Sequence, residues 1–205
     1  MCMKKSKRIF AVLLALVMAC SVLTVEPVSA KVTMPAKSAT LVKRMSDYVT
    51  MQVCYSPKKS WTKIPMNNET CFSALVPVLY DCEGKYEFSS EKQINNLCYK
   101  YFGRNGYKDV TTNDHFYYSE GRLISAAGDW GTSAPQPKIT KMKKVKDGVY
   151  DVYVTNRMKN YEENTIKKVG ESVIRIKKNS KSAFGYVVIG MKYKTTYKEY
   201  FEIYG

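Results

Sequence analysis

The hydrophobic pattern of this chain changes period part-way along its length. In "SSEKQINNLCYKYFG", residues 89–103, Ile94, Leu97, Cys98 and Tyr101 recur at i, i+3, i+4 and i+7, the stripe of a helix with one buried face. Ser90 followed three residues later by Gln93 forms a capping box, and Gly103 supplies a left-handed stop. The spacing therefore predicts a helix over 91–102, with Lys92, Asn95, Asn96 and Lys100 on its polar face. Leu41, Val42, Met45, Tyr48 and Val49 fit a second helical stripe beginning near Ser38, after which Val49, Met51, Val53 and Tyr55 alternate as a strand would. Cys71, Phe72, Leu75, Val76 and Leu79 form a third stripe, kinked at Pro77 because proline removes one backbone hydrogen bond.

Downstream the period falls to two. Asp147-Gly148 separates two extended runs, a hairpin signal because both residue types tolerate positive φ. After it Tyr150, Val152 and Val154 share one face, while Val149, Asp151 and Tyr153 share the other. "SVIRIKK", "NSKSA" and "FGYVVIGMKYK" predict a longer hairpin with Val187, Ile189, Met191 and Tyr193 on one face. Glu120-Gly121 in "FYYSEGRLIS" marks a third hairpin. In "KITKMKKVK" the alternation breaks between Ile139, Met142 and Val145 unless a bulge intervenes. "SAPQPK", residues 133–138, reads as a loop between the helical and strand-rich parts. Helices first and antiparallel strands after them predict an α+β class fold, with N-terminal helices packed on a curled antiparallel sheet. Seventeen tyrosines suit such half-exposed pleated surfaces.

The first thirty residues have a different character. Lys4, Lys5, Lys7 and Arg8 precede an apolar stretch from Ile9 to Val25, followed by Glu26, Pro27 and the small-residue pattern Val28-Ser29-Ala30. That layout predicts a signal peptide over residues 1–30, cleaved after Ala30, and one α+β domain over 31–205. About 17 apolar residues is the lower limit for spanning a bilayer, so no transmembrane anchor is expected in the mature chain. Val17-Met18-Ala19-Cys20 offers a rival route, a lipoprotein anchored through Cys20. Either route places the domain outside the cytoplasm, secreted or associated with the cell envelope.

Export changes how the charge is read. Loss of four leader cations and Glu26 takes the formal net charge from +15 to +12. A surplus of that size favours polyanionic surroundings or simply a solvated surface. Outside the cell, nucleic acid is not the expected partner; wall polymers, lipid headgroups or acidic saccharides are. Cys54, Cys71, Cys82 and Cys98 remain after the leader, enough for two disulfides in any of three pairings; the alternative is that Cys71 and Cys98 are small buried hydrophobes. They contain no Cys-x-x-Cys, and with a single histidine the chain offers no metal site. No phosphate-cradling glycine loop, serine elbow, His-Glu-x-x-His or dinucleotide fingerprint occurs, so no cofactor is implied.

The order of elements, from the capped helix ending "YFGRNGY" through "AGDWG", "DGVYDVYV" and "SAFGYVVIG", resembles the NTF2-like (cystatin-like roll) superfamily. The segment "KNSKSAFGYVV" is similar to one in exported proteins of gut Firmicutes. The likeness covers roughly residues 36 to 195 and implies a curled sheet around N-terminal helices, with a cone-shaped pocket. It brings no catalytic motif and so implies a fold more than a function.

Three clusters carry candidate chemistry. His115, beside Asp114, could titrate near neutral pH, although adjacent side chains in a strand point apart and a surface histidine fits as well. Asp129 and Trp130, bracketed by Gly128 and Gly131, could line a pocket mouth, with Trp130 stacking on a ligand ring, or could form a bend at a strand end. Lys138, Lys141, Lys143, Lys144 and Lys146 could grip a polyanion, or form a solvated edge that blocks strand-to-strand association. The expected function is a non-enzymatic binding module for an anionic envelope polymer or a small molecule. The competing readings are a small-molecule enzyme with Asp129 as acid or base, and a structural protein-interaction domain.

Overall fold

The computed structural model of the chain describes residues 33–84, 87–104, 116–120, 122–125 and 133–196. His115, Asp129, Trp130 and the whole leader with Cys20 lie outside the described residues. Helix α1 (Ala36–Tyr55) leads, followed by β1 (Thr62–Ile64), α2 (Asn68–Val78), a π-helical turn (Leu79–Glu83), β2 (Glu87–Phe88) and α3 (Glu91–Phe102). Then come only strands: β3 (Phe116–Ser119), β4 (Arg122–Ser125), β5 (Ser133–Pro135), β6 (Lys138–Lys146), β7 (Val149–Asn160), β8 (Thr165–Lys178) and β9 (Tyr186–Thr195). The class is α+β, three helices on a curled antiparallel sheet.

The main sheet runs β1-β9-β8-β7, and β5 and β6 pair in succession along the far edge of β7. A second, small sheet has the order β2-β4-β3 and contains the hairpin expected at Glu120, which sits at φ 51°. The "SAPQPK" segment is not all loop: Ser133–Pro135 forms β5, and only Gln136 and Pro137 separate it from β6. Proline has no N–H to give a ladder, which is why it is tolerated on such an edge.

Helix α1 is longer than its sequence suggests. Residues 49–55 alternate like a strand, yet the structure continues the helix to Tyr55 and buries Val49, Val53 and Cys54, while Tyr55 faces solvent. A run of four alternating apolar residues fits either period, and the sheet beneath decides in favour of the helix. Ser46 and Thr50 on the buried face donate their hydroxyls to the carbonyls of Val42 and Ser46, at 2.6 and 2.7 Å. Their polar atoms are thereby satisfied inside the core. Gly170 of β8 lets this helix approach, since a Cβ there would lie 2.5 Å from the Lys194 carbonyl oxygen and 2.7 Å from Val53 Cγ1.

The opposing sheet face is built from Val152, Val154 and Met158 of β7, Ile174 and Ile176 of β8, and Val188, Met191 and Tyr193 of β9. Bulges bend these strands. Register shifts occur at Ile139/Lys141 and Lys144/Lys146 of β6, so the broken alternation there is a bulge. Another lies opposite Arg175/Ile176 and corrects the expected phase of β9. Ile189 is the extra residue, 39 % exposed, so the core face reads Val188, Met191, Tyr193, and Val187 lies off it. The β6–β7 turn is at Asp147-Gly148 as expected, but only Gly148 takes positive φ, at 69°.

Helix α3 spans 91–102 as its spacing predicts, with Gly103 left-handed at φ 65°. Its start differs from the expected capping box. The Gln93 side chain reaches Ser89, accepting from its N–H at 3.1 Å and donating to its Oγ at 2.8 Å, and Ser90 makes no side-chain cap. Lys100, expected on the solvent face, turns to Glu83.

Pro77 sits inside α2, and the helix passes into the π-helical turn within two residues of it. That turn presents Glu83 to three donors. Arg44 Nη1 of α1, Lys100 Nζ and Tyr101 Oη of α3 lie 2.7, 2.8 and 2.6 Å from its Oε1. Phe184, in the loop after β8, lies under both cations and against the Tyr101 ring. Burial alone would raise the Glu83 pKa, but hydrogen bonds from Lys100, Tyr101 and Arg44, with the Lys100 charge, outweigh it and hold the carboxyl at about 2. A depressed carboxyl pKa contributes stability that is full above the unfolded value near 4.5 and is lost as pH falls towards 2. Glu83→Gln should therefore lower stability at pH 7 by about 1–3 kcal/mol. Denaturant melts between pH 7 and 2 should show its deficit shrinking across the acid window.

Candidate functional site

The sheet has a second face, away from α1, and its composition follows from the same alternation. Apolar residues on every second position of β7, β8 and β9 face the helix, so the intervening residues must face the other way. Strand register lines those residues up in rows. One row runs Lys63–Lys192–Val173–Tyr153–Lys141 across β1, β9, β8, β7 and β6. The next on one side is Gly190–Arg175–Asp151–Lys143, and on the other Lys194–Glu171–Thr155–Lys138. Lys177, Val149 and Lys146 follow beyond Asp151. Cations thus occupy the face on β1, β9, β8 and β6, while β7 contributes Asp151, Tyr153 and Thr155, and Asp151 and Glu171 are the carboxylates in these rows.

Both carboxylates are engaged. Arg175 holds Asp151 with a two-pronged contact, Nε to Oδ1 at 2.7 Å and Nη2 to Oδ2 at 2.9 Å. Glu171 accepts from Lys168 at 2.7 Å and Lys194 at 3.0 Å. Hydrogen bonds from those two lysines pull its pKa below the usual carboxylate range. Lys141 Nζ sits 4.6 Å from the centre of the Tyr153 ring. Trp61, just before β1 and 42 % exposed, has Lys192 Nζ at 4.9 Å and Lys194 Nζ at 5.1 Å from its ring.

A groove of about 410 Å³ opens on this face beside the end of β1, lined by Lys63, Pro65, Met66, Asp151, Arg175, Ile189 and Lys192. The Ile189 bulge forms part of its wall. A second cleft of about 330 Å³, lined by Tyr48, Gln52, Asn67, Glu69 and Tyr193 among others, lies where β1 meets α1 and α2.

The chain matches no family model, no curated protein and no solved structure.

Of the residues that the sequence singles out, four of the five lysines reach the cation-rich face. Lys138, Lys141, Lys143 and Lys146 are exposed and in its rows. Lys144 is not: it pairs in register with Tyr150, on the helix side, and its ammonium is 2.5 Å from Asp147. Since β6 is an edge strand, these lysines also blunt strand-to-strand association. His115, Asp129 and Trp130 lie outside the described residues. Lys63, Arg175, Lys177, Lys192, Lys194 and Trp61 are additions that the sequence reading did not reach. Their signal was present as cations at alternate positions in "RIK", "KYK" and "WTK".

Among the described residues Cys54, Cys71, Cys82 and Cys98 form no disulfide, with Cys54, Cys71 and Cys98 buried and Cys82 exposed. Among the described residues no group of His, Cys, Asp and Glu could hold a metal ion, and no helix is long and apolar enough to cross a membrane. Burial pushes the Cys54 and Cys98 thiols up to about 12 and Cys71 to about 11, against the attacking-thiolate character a nucleophile needs. An aromatic disulfide reagent added to the native protein should titrate Cys82 at once. Cys54, Cys71 and Cys98 should follow only on unfolding, and rapid labelling of any of them would contradict the packing of α1, α2 and α3.

Proposed function

We propose that this chain is a secreted or envelope-associated, non-enzymatic binding module that engages an anionic polymer across the helix-free face of its sheet. The observation that carries the reading is the surplus of cations there. Lys63, Lys138, Lys141, Lys143, Lys146, Lys177 and Lys192 have no carboxylate partner among the described residues, since Asp151 and Glu171 are already held by other cations. The face is also a continuous, rigid platform, so the charges keep fixed spacings. A polymer crossing several rows gains many weak contacts at once, which is how individually modest lysine contacts add to useful affinity. Membership of the NTF2-like superfamily belongs to this proposal and is carried by the sequence resemblance alone.

Binding of polyphosphate, a simple linear polyanion, tests the reading. Affinity should fall at least about tenfold between 0.05 and 0.5 M salt, because exposed charges are screened over a few ångströms at the higher concentration. Lys138, Lys141 and Lys143 changed together to Gln should weaken binding by about tenfold while leaving the melting temperature almost unmoved, as expected for exposed positions. Salt-insensitive binding, or a triple variant that binds like the parent, would count against the face.

The exported location rests on the leader and has its own check. Intact mass of the chain recovered from the medium or envelope of its own cells should correspond to a start at Lys31. A start at an acylated Cys20 would replace secretion by a lipid anchor, and an uncleaved precursor in the cytoplasm would remove the extracellular reading.

A further inference from the structure

Among the described residues of the cation-rich face, one place has an exposed aromatic ring. Trp61 precedes β1, and Lys192 contributes both to the Trp61 contact and to the lining of the groove. Lys63 and Lys192 are direct cross-strand partners. Like charges directly opposite in an antiparallel pair repel. Among the described residues neither has a carboxylate to relieve it. Lys192 has only the indole, and a cation–π contact at an exposed site is weak compared with an anion within reach. Lys194 shares the same ring but is held by Glu171 at 3.0 Å.

We propose that Trp61, Lys63 and Lys192 form a subsite for one acidic sugar ring of an anionic glycan. This deepens the polyanion reading and rests on it. The apolar face of a pyranose stacks on the exposed indole, and the ring's carboxylate lies between the Lys63 and Lys192 ammoniums, replacing their repulsion with two attractions. Arg175, fixed by its fork on Asp151, lines the adjoining groove and leaves room there for the next unit of the chain. Lysines alone would be indifferent to the polymer's backbone, whereas the indole demands a ring. The inferred ligand class is therefore a polyuronate-type glycan in preference to a ring-free polyanion.

The test uses the whole exported chain with polygalacturonate as the ring-bearing probe and poly-L-glutamate as a ring-free polycarboxylate. Trp61→Ala should weaken polygalacturonate binding about fivefold or more and leave poly-L-glutamate binding unchanged. Trp61→Phe, which keeps a flat ring, should recover part of the loss. Lys63→Gln with Lys192→Gln should weaken both probes. Tryptophan emission should change on adding polygalacturonate, and the change should disappear in Trp61→Phe. Equal losses for both probes in Trp61→Ala, or none for either, would overturn the sugar subsite while leaving the polyanion reading intact. Failure of the unaltered chain to bind polygalacturonate, poly-L-glutamate or polyphosphate at low salt would overturn both. Unfolding curves of the Trp61 variants that match the parent exclude a folding defect, and Trp61→Phe carries the same test if Trp61→Ala does not fold.

Discussion

Everything on this molecule's surface depends on the packing of one apolar stripe, that of α1, against the central strands β7, β8 and β9. Leu41, Val42, Met45 and Val49 are fully buried there, opposite Val152, Val154, Ile174 and Val188. A strand sends successive side chains to opposite faces, so this contact fixes the destination of every neighbouring residue. A slip of one position in β8 would carry Arg175 and Lys177 under the helix and expel Ile174 and Ile176. Burying an unpaired guanidinium or ammonium costs several kcal/mol, far more than any gain from a shifted hydrogen-bond ladder. The cation-rich face is thus a consequence of the core: the same register that protects the apolar residues displays the charged ones.

The bulges and the Glu83 cluster adapt that simple two-faced sheet. At Ile189 the bulge restores Met191 and Tyr193 to the core after Val188 and puts an exposed residue into the groove wall. In β6 two bulges keep Ile139 and Met142 partly buried while distributing the lysines of a strongly basic segment to the outside. On the helical side, the π-helical turn after Pro77 brings one carboxylate to meet Arg44, Lys100 and Tyr101, tying α1, α2 and α3 to the loop around Phe184. Glu83 is only partly exposed, so its contacts act in a lower dielectric than the pairs on the open sheet face and bind more firmly.

Legibility in the sequence followed the strength of local signals. Helix α3, the Asp147-Gly148 turn, the Glu120 hairpin and the two faces of β7 were all readable, because each combines a period with a turn or cap residue that has a physical reason to be there. The second half of α1 was not, since Val49, Met51, Val53 and Tyr55 satisfy a strand pattern and the helix is selected by the sheet it covers. The Ile189 bulge was invisible for a similar reason: Val187, Ile189, Met191 and Tyr193 make an unbroken alternation, and pairing with Arg175 and Ile176 alone reveals the extra residue. The basic segment 138–146 was readable because its lysines lie close together in sequence. The rest of the face was missed because it is assembled across strands, from Lys63 to Lys192 over more than a hundred residues of chain.

That assembly spreads the cations in two dimensions. Neighbouring strands stand about 4.8 Å apart and alternate residues along a strand about 7 Å apart, so the cations form a two-dimensional lattice whose spacings are fixed by the backbone. Exposed like charges at these distances lie inside the screening length of about 8–10 Å and do repel, but the high dielectric of the surrounding water holds each pair to about 1 kcal/mol or less, and folding tolerates them. A solvated edge accounts for lysines on the edge strands β6 and β1 but not for those on β8 and β9. Here they continue across β9 to β1, where Lys63 and Lys192 oppose each other beside an exposed indole although Thr62 and Tyr193 show that neutral pairs fit the adjacent position. This like-charge pair therefore sits at the β1 edge of the sheet face, next to an aromatic ring and a groove, and its mutual repulsion is what an arriving negative charge would relieve.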